Sequence, residues 1–288
     1  MGHTDRMADA DLLFSTRVML IGTATASLQI EGGDRANNWY DWAQLPGTIA
    51  AGSTPLRATD HWVRWREDTA LMAELGMQTY RMSLEWSRIE PRPGEFDRAA
   101  IARYREELEA IRAAGIVPLV TLHHFSHPSW FQGLGAFTST HAPDRFLRFV
   151  EVVVEALGYL VTDWVTINEP NVYAVQAHLF GEAPPGTRDW GAVRSTLRQM
   201  AIAHCRAYRR IHELLPEARV GFAHHARVFA PRNRWNPVHR AMSVLDRALF
   251  QDLLADAMLG GRFPRLLGRA PVDITPGRYY DYLGLNYY

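Results

Sequence analysis

The sequence predicts an α/β fold with a parallel sheet, and three observations carry that expectation. Short apolar runs alternate with long amphipathic stretches along the 288 residues. Most of these runs lack a polar residue at every second position, as strands do when helices cover both faces of their sheet. The strand-helix order then repeats, and a right-handed crossover lays each new strand parallel to the last.

In order, the first strand is read in RVMLIGTA, and the Pro- and Gly-containing stretch Leu45 to Thr59 after it reads as a long loop. A helix over His61 to Met77 is expected to place Trp62, Trp65, Leu71, Met72 and Leu75 on one side. QTYRMSLEW is the second strand. Asp97 then caps a helix in which Ile101, Tyr104, Leu108 and Ile111 recur at helical spacing until Gly115. IVPLVTLHHF, the helix Pro143 to Val161, and DWVTINEP follow. A second loop, Phe180 to Asp189, leads into a helix over Trp190 to Leu215. ARVGFAHHA, a less regular helix over Val238 to Leu259, and DYLGLNYY complete the series.

No Ser/Gly-rich linker interrupts the chain, so residues 1–288 are read as one domain. A doubly wound sheet competes with a barrel. It usually carries a G-x-G-x-x-G turn after strand one, whereas the turn here is GTATASLQIEGG. Both long loops follow strand ends, where α/β barrels keep their sites.

Composition narrows the function. Lys and Arg total 31 against 31 Asp and Glu, so no general attraction for a phosphate backbone exists and nucleic acid is not an expected partner. With 47% hydrophobic residues the chain has material for a core. No stretch approaches the roughly 18 apolar residues of a membrane span, so no membrane partner is expected. The start, MGHTDRMADADLLF, has no apolar core and does not read as a secretory signal, which makes the cytoplasm the expected location. Cys205 is the single cysteine and lies in a helical pattern, where it reads as a small buried hydrophobe.

Asn168-Glu169-Pro170 ends the strand DWVTI. A carboxylate terminating an apolar strand is poorly solvated, which favours its protonated form and suits it to protonate a leaving group. The alternative is a Glu that merely caps the next helix. Other strand ends offer Gln29 and Glu31, then Arg81, Glu85 and Trp86, then His123 and His124. Amides, imidazoles, an Arg and an aromatic face on one rim suit a neutral, polyhydroxylated ligand. No cofactor is expected. Nor is a metal: His123, His124, His127, His224 and His225 lack H-x-H or H-E-x-x-H spacing, and adjacent strand residues face opposite ways.

GTATASLQIEGG, TDHWVRWREDTALMAELGMQTYRMSLEWSRIEP, GIVPLVTLHHFSHPSWF, WVTINEPNVYA and DYLGLNYY together resemble family 1 of the glycoside hydrolases, the β-glucosidase and β-galactosidase family. The resemblance runs from about residue 18 to 288. It implies a (β/α)8 TIM-barrel type of fold, here incomplete, with about six of eight βα units present. It makes Glu169 the general acid/base. Gln29, His124, Asn168, Asn286 and Tyr288 become substrate-binding residues, and Arg81 takes the position that pairs with the nucleophile. The implied reaction is hydrolysis of a β-glycoside with retention, which needs a second carboxylate about 5 Å from the first.

That nucleophile belongs to a T/S-E-N-G motif, and no acid after Glu169 stands in such a context. Weak or lost activity is therefore expected, the alternative being a barrel fragment that binds a sugar or another flat ligand without cleaving it. A water activated by Glu31 or Glu85 would be a substitute. Arg81, without its partner, is expected to turn to Glu31, Glu85, Glu169 or bound solvent. Leu28 replaces a frequent Tyr, and His224-His225 stands where an Asn is usual. Two strand edges that cannot meet imply a homodimer through the exposed barrel edges.

Overall fold

The computed structural model describes residues 19–288. Six strands form one parallel sheet in sequence order: β1 (Gly22–Ala24), β2 (Thr79–Ser83), β3 (Val117–His123), β4 (Asp163–Asn168), β5 (Arg219–His225) and β6 (Tyr282–Asn286). Each sequential neighbour pairs in parallel, so the sheet curls as an incomplete (β/α)8 barrel, and β1 and β6 are edges that do not pair with each other. The predicted first strand begins at residue 17, outside the described residues, and among the described residues only Gly22–Ala24 of it form a strand. At Gly22 a Cβ would lie 1.8 Å from the Thr79 carbonyl oxygen, so only glycine permits this approach to β2.

The crossovers are the helices α1 (His61–Glu74), α2 (Arg98–Ala113), α3 (Ala142–Leu157) and α4 (Trp190–Leu214), followed by α5 (Pro237–Arg247) and α6 (Leu253–Gly260) with a π turn between them. Asp97 caps α2 as its spacing implies, accepting from the backbone N–H groups of Ala99 at 2.7 Å and Ala100 at 3.2 Å. On α1 the predicted face was too wide. Trp65 and Met72 are buried, whereas Leu71 and Leu75 are exposed. At 100° per residue Leu71 lies about 120° around the helix from Trp65, and Leu75 follows the last helical residue as the C-cap.

The main core lies between the sheet and α2, α3 and α4. Its centre is aromatic: Trp86 packs against Phe131, Phe146 and Phe149 at ring separations of 4.6, 5.8 and 4.9 Å. Trp86 begins a short helix, Trp86–Ile89, that ends β2 early and swings the indole away from the rim, so it is a core residue and not a sugar platform. Cys205 is fully buried with its Sγ 3.6 Å from the Ala257 carbonyl, as expected of a small apolar residue. No helix among the described residues is long and apolar enough to cross a membrane.

Candidate active site

The site forms where β2, β4, β5 and β6 end. Backbone geometry aims Glu169: it has φ +44°, in the left-handed region, although the following Pro170 favours extended backbone. Such a conformation costs on the order of 1–3 kcal/mol. The surroundings hold it. The Glu169 N–H donates to the Ala223 carbonyl at 2.7 Å, its carbonyl accepts from Tyr173 at 2.9 Å, and Asn171 Nδ2 donates to the His225 carbonyl at 3.0 Å. A register shift in β4 between Val165 and Asn168 precedes this turn.

Asn286 is the hub of the side chains. Its Nδ2 donates to Glu169 Oε1 at 2.7 Å and to Asn168 Oδ1 at 3.1 Å, and its Oδ1 accepts from Arg81 at 3.4 Å. The Tyr288 hydroxyl donates to the same Glu169 oxygen at 3.2 Å, and His225 Nδ1 lies 3.6 Å from it. Glu169 itself is buried. Arg81 donates to Asn168 Oδ1 and, at 3.1 Å, to the Thr121 hydroxyl.

Of the partners expected for Arg81, none of the carboxylates Glu31, Glu85 and Glu169 forms an ion pair with it; three neutral oxygens accept from it instead. Burial holds its pKa below the ordinary value. Glu31 and Glu85 are elsewhere. Glu31 pairs with Arg88 at 2.7 Å and accepts from Tyr104 at 2.7 Å. Glu85 accepts from the hydroxyls of Ser27, Ser87 and Ser126 at 2.9, 2.7 and 2.6 Å. Burial pushes Glu31 up to about 7 against the Arg88 charge, and burial with the nearby Asp34 raises Glu85. Both are buried and committed to internal networks, so neither is placed to activate a water for Glu169.

Gln29 and His124 stand apart from the Glu169 cluster, on a cleft of about 580 Å³ walled by Leu28, Trp39, Val172 and Tyr173. Gln29 is exposed on the single turn Ser27–Ile30. Burial and the Arg81 charge lower His124 to about 3, which leaves it a neutral imidazole, able to orient a hydroxyl but not to act as an acid at neutral pH. Val172 and Tyr173 belong to the helical turn Pro170–Val175 that begins directly after Glu169, so the cleft and the carboxylate cluster adjoin.

His123, predicted at the rim, is buried behind the sheet against Phe137 and Tyr173, with Nε2 3.3 Å from His127 Nδ1. Among the described residues no group of three or more His, Cys, Asp or Glu is placed to hold a metal. Asp281 precedes β6 and accepts from His212 at 2.8 Å and from the Val220 N–H at 2.8 Å, at the opposite end of the sheet from Glu169.

The sequence did not single out Trp39 or Thr121, and it named His225 only together with His224, among the histidines weighed for a metal and where an Asn is usual. A signal for His225 existed in the strand parity. Ala223 pairs with Asn168, and two residues on His225 pairs with Asn286, so of the two adjacent histidines this one shares a face with the asparagines.

The sequence model of the family described as glycosyl hydrolase family 1 matches residues 15–274. Beta-glucosidase A of Thermotoga maritima is 30% identical over 285 residues, covering 93% of this chain and 64% of that protein. The beta-glucosidase of an Agrobacterium species is 29% identical over 289 residues, covering 93% and 62%. Among solved structures, the Thermotoga maritima beta-glucosidase in complex with glucoimidazole superposes with a TM-score of 0.86 at 28% identity, over 93% of this chain and 64% of that one. A beta-glycosidase from Pyrococcus horikoshii gives 0.81 at 32% identity, covering 93% and 61%. The chain thus spans about 64% of the length of the first of these relatives. With the family's strand order, its Asn-Glu-Pro strand end and a match over most of the sequence, the chain belongs to glycosyl hydrolase family 1.

Proposed function

We propose that the chain binds the sugar of a β-glycoside and carries the proton-donating side of a retaining glycosidase site, with hydrolysis weak or absent because this chain supplies no attacking carboxylate. Glu169 is the acid/base. Asn168, Asn286 and Tyr288, with Gln29 and His124 across the cleft, take the sugar hydroxyls. Arg81 occupies the position that a nucleophile would pair with. The observation that carries the reading is the partner set of Glu169 and Arg81: neutral amide and hydroxyl groups surround both, and no carboxylate pairs with the guanidinium among the described residues. The same satisfied network favours the second reading, a sugar-binding module without catalysis, since an Arg81 whose N–H groups already have acceptors needs no nucleophile to hold it.

An aryl β-glucoside separates them. Slow release of the aryl alcohol that Glu169→Gln abolishes supports the enzyme; saturable binding of the glucoside without release supports the module. Absence of both binding and release removes the proposal. We also propose that the chain associates as a homodimer through its strand edges, where Leu283, Leu285 and Tyr287 are exposed on one side and Leu20 and Ile21 on the other.

A further inference from the structure

Arg227, just past the end of β5, donates its Nε–H to Nε2 of His225 at 2.8 Å. A guanidinium has no lone pair to offer, so Nε2 must be the acceptor. His225 is then a neutral imidazole with its proton on Nδ1. That nitrogen is buried, has no hydrogen-bond partner, and lies 3.6 Å from Glu169 Oε1. The distance exceeds a direct hydrogen bond, but catalytic contacts are commonly long before substrate binds and tighten in the complex.

The ring is fixed in this direction from both sides. Tyr288 stacks on it with centroids 5.3 Å apart and planes 26° apart, and Phe250 meets it edge-on at 5.9 Å. Arg227 is itself anchored, its guanidinium 4.9 Å over Phe250 and its backbone N–H donating to Gln251 Oε1 at 3.1 Å. The charged or titratable groups around the imidazole are Glu169 from β4, Arg227 and His224 from β5, and Tyr288 beyond β6; Arg81 of β2 stands behind the asparagines, and Asp252 acts on His224.

We infer that His225, its tautomer set by Arg227, is a positioning residue for Glu169: it offers an Nδ1–H to the oxygen that Asn286 and Tyr288 already hold. This rests on the proposed role of Glu169 for its catalytic meaning, though not for its measurement. When Glu169 gives its proton to the departing glycosidic oxygen, the carboxylate left behind gains a third donor on Oε1. The imidazole keeps its own proton throughout, so the device stabilises the ionised stage and takes no part in the transfer. An exposed arginine two residues along the chain thereby tunes a buried acid.

The test uses the whole chain with ¹⁵N-labelled histidine and ¹³C-labelled glutamate, read by NMR without substrate. At neutral pH His225 should show protonated Nδ1 and unprotonated Nε2. Arg227→Met should shift it toward the Nε2–H tautomer and raise the ionisation midpoint of Glu169 by about half a unit, roughly threefold in its ionisation constant. His225→Phe, which keeps a ring on Tyr288 but has no N–H, should raise that midpoint at least as far. A doubly protonated or Nε2–H imidazole in the unaltered chain, or an Arg227→Met chain with tautomer and midpoint unchanged, overturns the inference. If the tautomer is as stated but Glu169→Gln leaves glucoside turnover untouched, the acid/base assignment fails and the inference about Arg227 and His225 stands.

Discussion

Single residues already separate a finished polar network from an open one. Arg81 is buried, yet its partners are neutral, so removing it breaks hydrogen bonds without stranding an opposite charge. Arg81→Met should therefore lower unfolding stability in urea by about 1–2 kcal/mol, the cost of lost hydrogen bonds, and not the roughly 3–5 kcal/mol of breaking a buried ion pair. A loss in the larger range would show that a carboxylate pairs with it in solution. Glu31 gives the opposite case. Burial, opposed by Arg88, raises it from the ordinary 4.5 to about 7. The folded state then holds its proton more tightly than the unfolded chain, so this contribution to stability is complete below about pH 4.5 and lost as pH rises through about 7. Melting temperatures between these pH values should fall less steeply in Glu31→Gln than in the unaltered chain; parallel curves would contradict the assignment.

Elements account for what the sequence made legible and what it did not. Helix ends and strand order depend on local signals, and α2 illustrates this: Asp97 at its start and Gly115 after its end bracket the observed helix closely. Asp97→Ala should cost about 1 kcal/mol of unfolding stability, measured by thermal denaturation; no change would mean that the cap is replaced by solvent. The rim was harder to read because it depends on where each strand stops and on which side chains project there. Trp86 and His123 sit at strand ends in sequence, but β2 ends early and His123 packs behind the sheet, so both serve the core. Glu169 was legible from Asn-Glu-Pro at the end of an apolar strand, whereas its link to His225 depends on a register shift in β4 that no local pattern announces.

At the scale of the whole molecule, the sheet is open between β1 and β6, and β6 presents Leu283 and Leu285 at its exposed positions. Sedimentation should show reversible association that Leu285→Lys weakens; a single 32.7 kDa species at all micromolar concentrations would count against the dimer. With Glu169 donating the proton as proposed, attack on the anomeric carbon falls to a group outside the proposed site. A small external anion can take that part. Azide attacking C1 of a phenyl β-glucoside from the α face, as the C1–O bond breaks and Glu169 protonates the departing oxygen, gives α-glucosyl azide and phenol. The direct measurement is NMR of the product formed with and without azide. Turnover should rise with azide, yield the α-azide, and fall in Glu169→Gln. Hydrolysis to β-glucose at a rate indifferent to azide would contradict this, since the chain would then possess a nucleophile of its own.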